Sequence, residues 1–186
     1  MVNISFNDKT MDILKSLVGK TFESFECDSF IYSPTVYGIV GLCINSKTYK
    51  ITCDFKSIQR FFHQEDVAVL QFEECQPSDI MSKMVDGKMN NNPIKDVIKG
   101  IDVINDTESV FHEKEEGSVC STKGLIFHFA SGNELSFEVS TWFSELITIR
   151  KGYELISKFA PVSDFLEEWD VDSGYNPNCE REVIAI

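Results

Sequence analysis

The chain has 186 residues, 42% hydrophobic and 12% aromatic with 15 phenylalanines, so it has enough apolar content to bury a core and is excluded from the disordered class. Thirty Asp and Glu against 17 Lys and Arg leave a formal charge of -13, which repels phosphate backbones and anionic lipid and disfavours direct nucleic-acid binding. The N-terminal stretch has no basic segment leading into an apolar run, and nothing later reaches the ~20 apolar residues that span a bilayer, so no membrane attachment is expected.

Asn7 or Asp8 caps an expected helix over 8–18, in which Met11, Leu14, Leu17 and Val18 recur at helical spacing and Gly19 supplies the stop. From Lys20 to Tyr32, Phe22, Phe25, Cys27, Phe30 and Ile31 follow no clean period, which reads as an irregular or bulged strand broken at Ser33-Pro34. Residues 37–44 are almost continuously apolar, 45–47 carry turn chemistry, and Tyr49, Ile51, Cys53 and Phe55 then alternate, predicting a β-hairpin. A strand over 67–72 follows, then a polar connection to Asn92 with one short helix expected near 80–85.

The second half reads as a replay of the first. Residues 93–99 show a short helical pattern ended by Gly100; Ile101, Val103 and Ile104 begin a strand, and 112–116 form a charged loop. A second hairpin pairs 124–130 with 134–140 through Ser131-Gly132-Asn133, and a strand over 145–150 follows. Gly38 aligns with Gly124, and Tyr49, Ile51 and Cys53 align with Leu135, Phe137 and Val139. The expected fold is therefore α+β in a single compact domain over 1–186: antiparallel sheet from two pseudo-repeats of helix, strand, hairpin and strand, about 8–75 and 93–151. A C-terminal segment, 152–186, has short helices over 153–159 and 163–169, an acidic turn-rich tail, and a small strand over 182–186.

No phosphate loop, nucleophile elbow or metal-binding helix signature occurs, and His63, His112 and His128 have no partner at a metal spacing, so no cofactor, metal or catalytic residue is expected. The cysteines Cys27, Cys43, Cys53, Cys75, Cys120 and Cys179 lack a CxxC pair, the usage of reduced thiols in a cytoplasmic protein. Adjacent acids such as Glu73-Glu74 and Glu115-Glu116 diverge on any regular backbone and read as solvated surface. The segment least like bland surface is the C-terminal one, where Glu167, Glu168, Asp170 and Asp172 interleave with Trp169 and Tyr175. Acids steer a basic partner and an aromatic ring anchors it, so these six residues are the candidate partner-binding set. The bland alternative is a tail whose Trp169 folds back on the body.

A small acidic chain of strands and short helices ending in an acidic aromatic segment resembles the bacterial immunity proteins that neutralise polymorphic or contact-dependent toxins. The resemblance implies a stoichiometric inhibitor that masks a cognate basic toxin, commonly a nuclease, and it assigns no individual residue. Two alternatives stand beside it: a phage-type inhibitor whose carboxylates imitate nucleic-acid phosphates, and a small enzyme or ligand-binding domain with a pocket between the repeats that uses His128, Glu138 and Tyr49.

Overall fold

The computed structural model describes residues 1–29, 34–84, 87–139, 141–169 and 171–186. Among them the order is β1 (Val2–Ile4), α1 (Asp8–Leu17), β2 (Thr21–Cys27), β3 (Thr35–Tyr37), β4 (Ile39–Ile44), β5 (Lys47–Arg60), β6 (His63–Cys75), β7 (Asn90–His112), β8 (Glu115–Phe129), β9 (Glu134–Glu138), β10 (Leu146–Gly152), α2 (Ser163–Glu167) and β11 (Tyr175–Ala185). Among the described residues no helix is long and apolar enough to cross a membrane.

The α1 helix forms where the caps place it. The Asn7 side chain accepts from Thr10 N at 3.0 Å, Asp8 and Lys15 lie at the termini that suit their charge, and Gly19 leaves in the left-handed region at φ 84°. Its Leu14 and Leu17 are fully buried against the sheet. In β2 the irregular spacing has a cause: the register with β4 shifts between Phe22 and Ser24, so Phe22 and Phe25 both face inward although three residues apart. Glu23, left over by the bulge, accepts from Ser46 N at 3.1 Å and from Cys43 Sγ at 2.6 Å. It thereby pins the β4–β5 turn, where Asn45 and Ser46 both have positive φ (51° and 61°), the type I′ geometry whose twist suits a tight hairpin.

Each half contains a four-strand antiparallel meander, β2–β4–β5–β6 and β7–β8–β9–β10. The 23-residue β7 joins them, pairing with β2 over its first part and with β8 over the rest, while its other edge carries β11 from 102 to 112. The short β3 pairs with β10, and β1 pairs in parallel with β8. The meanders face each other across a first core: Phe22 meets Phe127 and Phe129 edge-on at 5.2 and 5.6 Å, and Phe25 meets Phe137 at 6.1 Å. Strand β6 is buried on both faces, with Ala68, Leu70 and Phe72 in that core and Val67 and Val69 in a second one with Phe61, Val110, Val119, Trp142 and Phe165.

Four expectations are corrected. Residues 93–99 are strand, not helix: Ile94 and Ile98 are four apart, a spacing that puts two side chains on one face of a helix and of a strand alike, and pairing with β2 decides for the strand. Lys95 there has φ 58° near the β2 register shift, the kind of local irregularity that admits Pro93 in a strand. Around 80–85, a 3-10 turn at Pro77–Asp79 and non-helical residues 80–84 replace the helix, Val85 lying outside the described residues. The helix over 153–159 is a 3-10 turn, Leu155–Lys158, and the following helix is the short α2. The tail is not turn-rich to its end, since β11 runs the full length of the β7 edge. The helix meant to open the second repeat is thus absent, and the two halves share the meander alone.

Candidate functional site

Two tight turns meet at one end of the second core. The β5–β6 turn, at Phe61 and Phe62, carries positive φ at Phe61 (52°), and the β7–β8 turn carries it at Glu113 (56°). They approach closely because residue 117 is glycine: a Cβ on Gly117 would collide with the Phe61 backbone. On these tips lie α2 and the start of β11. Trp169 packs edge-on against Phe61 at 5.4 Å, Tyr175 stacks on His112 at 4.1 Å, and Trp169 and Tyr175 are 5.2 Å apart. Phe165 and Phe62 complete the aromatic cluster.

The candidate pair Trp169 and Tyr175 is therefore brought together, half-buried, with Trp169 folded onto the body and its Nε1 lacking a hydrogen-bond partner. Glu167 and Asp172 are exposed near them, Glu168 approaches Arg60 Nη2 at 3.6 Å, and Asp170 lies outside the described residues. Burial raises the Glu168 carboxyl above its usual range, with the Arg60 guanidinium pulling the other way. The tips add Glu65, Asp66, Glu113, Glu115 and Glu116 to this rim, with Lys114 beside them, and a shallow concavity of about 520 Å³ lies against His112–Glu115.

Beneath the rim, charge is consumed internally. Glu108, 2% exposed, accepts from Trp142 Nε1 at 2.6 Å and pairs with Lys123 Nζ at 2.9 Å, and that ammonium lies 4.0 Å from the Trp142 ring. Arg181 grips Asp106 through Nε and Nη2, both at 2.7 Å, while Glu138 is held by Arg150 and accepts from Ala160 N at 2.6 Å. Asp106, Glu108, Lys123, Glu138, Trp142 and Arg181 line a cavity of about 40 Å³, room for a few waters at roughly 10–15 Å³ each and far short of the roughly 300 Å³ at which small-molecule sites begin. Asp106, Glu108 and Cys179 bring donor atoms within 4.8 Å of one another, yet Arg181 and Lys123 already balance both carboxylates. Burial and the two acids push the Cys179 thiol up to about 12.

Compared with known proteins, the chain matches no family model, no curated protein and no solved structure.

The residues proposed for an enzymatic pocket do not converge. His128 sits between Asp102 at 2.8 Å and Glu134 at 3.2 Å, Glu138 lies four residues along β9 from that pair, about 13 Å at the rise of a strand, and Tyr49 is sealed in the first core against Phe72. Sequence reading missed Phe61, Phe62 and His112 as ring neighbours of Trp169 and Tyr175, and Arg60 as the neighbour of Glu168. The doublets Phe61-Phe62 and Trp142-Phe143 were the available signal: Phe61 and Phe62 both pack against the second core from their turn, while Trp142 is buried and Phe143 is exposed.

Proposed function

We propose that this chain is a non-catalytic binding protein that masks a basic protein partner with its acidic, aromatic end, and that it works in the cytoplasm as an immunity protein against a cognate basic toxin, nucleases being the first class to test. One observation carries the reading. Half-buried rings, Trp169 and Tyr175 with Phe62 and His112, sit inside a rim of acids, while Arg150 and Arg181 are spent on the buried carboxylates of Glu138 and Asp106. Acids around such rings steer a cationic surface in, and the rings supply the dry contact that slows its departure. Glu167, Glu168 and Asp172 belong to the proposed contact set with Trp169, Tyr175 and the neighbouring Asp170.

The test is capture of a partner from the native host on the immobilised chain at moderate salt. A basic protein should be retained, and Trp169→Ala should speed its release by about thirtyfold, the equivalent of ~2 kcal/mol for an aromatic anchor. Retention of nothing basic sinks the reading, and an unchanged release rate moves the contact surface elsewhere. Turnover by the purified chain that a single substitution abolishes would replace binding with catalysis.

The two meanders also read as copies of one unit. In support, Tyr49, Ile51 and Cys53 and their aligned counterparts Leu135, Phe137 and Val139 all face the first core. Exchanging only the inward residues, Leu135→Tyr, Phe137→Ile and Val139→Cys, should then preserve cooperative urea unfolding while Ser136 and the Glu138–Arg150 pair stay in place; a collapsed, non-cooperative transition would count against the duplication.

A further inference from the structure

We propose that Arg60 is the buried half of a carboxylate-binding site that Glu168 shields at rest. The Arg60 side chain is 7% exposed, and its Nη1 donates to Glu65 at 3.2 Å, but its Nε and Nη2 have neither a hydrogen-bond partner nor solvent. Buried donors left open are costly, and those of a cation most of all. The rings of Phe61, Trp142 and Phe143 lie 4.7, 5.0 and 5.4 Å from the guanidinium carbon and hold the cation without accepting its hydrogen bonds. The open edge, Nε with Nη2, is the edge that takes a carboxylate side-on. This molecule already displays that arrangement, since Arg181 closes the same two nitrogens on Asp106 at 2.7 Å each.

Glu168, at the C-cap of α2, approaches this edge at 3.6 Å, beyond hydrogen-bond reach. Its carboxylate is half-exposed and can rotate outward. An incoming carboxylate, from an acidic side chain or a chain terminus, exchanges with it one for one, so the local charge is unchanged while two open donors are closed. Phe143, 58% exposed, is the outermost ring over the guanidinium and the one free to swing aside. The site stands apart from the docking proposal: a free carboxylate is enough to fill it.

The test follows the side-chain Nε–H signals of the three arginines by ¹⁵N NMR on the unaltered chain during titration with sodium acetate at constant ionic strength, with inorganic phosphate in a parallel series. Arg60 should move saturably with acetate while the paired Arg150 and Arg181 stay still. Glu168→Gln should tighten the response about two- to fivefold, the range of an exposed ion pair that no longer competes. Arg60→Gln serves to assign the signal and should abolish any accompanying change in tryptophan fluorescence. An Arg60 signal indifferent to acetate, a Glu168→Gln variant that binds more weakly, or a response to phosphate alone would each overturn the assignment. The measurement on the unaltered chain and on the surface variant keeps the question decidable even if Arg60→Gln does not fold.

Discussion

Every buried acid lining the small cavity is answered by a named cation, and this has consequences residue by residue. Removing one member of such a pair strands the other in a medium that cannot solvate it, which costs far more than the intact pair contributes. Glu108→Gln leaves Lys123 buried against Trp142 without its counter-charge, so a loss of about 3 kcal/mol in urea unfolding is expected. The double variant Glu108→Gln with Lys123→Met should recover part of it; a single variant as stable as the parent would show that Lys123 reaches water. Gly117 is the steric counterpart. Gly117→Ala drives a methyl into the Phe61 backbone and should cost about 1–3 kcal/mol, with the fluorescence of Trp169 changing in step because Phe61 is its packing partner.

At the scale of elements, the β4–β5 turn holds two side-chain-bearing residues in the left-handed region, and Ser46 lacks the short amide that lets Asn45 tolerate it. Ser46→Gly should therefore stabilise the fold by about 0.5–1 kcal/mol, since the backbone N–H that Glu23 holds is retained; a lower urea midpoint would show instead that the Ser46 hydroxyl matters more than its φ. Such turns were legible because their chemistry is local, as was α1 with its own caps. The strand over 93–99 was not, because Ile94 and Ile98 fit both periods and the choice rests with β2, some seventy residues earlier in the chain. β11 was hidden for a related reason: acids and asparagines alternate along an edge with one exposed face, which reads like a solvated tail until β7 is there to pair with it. In the candidate site, the ring-and-acid composition of 167–175 was visible and its location was not. The two hairpin tips that complete it are about fifty residues or more apart from each other and from α2, and only the crossing of β5–β6 over β7–β8 unites them.

For the whole molecule, the distribution of ionisable groups sets how stability responds to pH. Burial raises the thiols of Cys27 and Cys43 to about 11 and those of Cys53 and Cys179 to about 12, against an ordinary 9.0. Between pH 9 and 12 the unfolded chain sheds these protons and the folded chain keeps them, so folding binds protons and stability falls as pH rises through that window. Below pH 9 both states hold the protons and the thiols contribute no slope. Each unit over which one thiol stays protonated only in the folded state amounts to about 1.4 kcal/mol, so Cys53 and Cys179, with the largest rises, should contribute most. The urea midpoint should therefore hold steady from pH 7 to 8.5 and drop steeply from 9 to 11, with a visibly shallower drop for Cys53→Ala. Self-repulsion of a body at -13 also weakens the fold as pH rises, but salt screens it and leaves the proton linkage of a buried thiol nearly untouched. A drop that vanishes in 1 M sodium chloride would assign the alkaline weakness to surface charge and not to the core thiols.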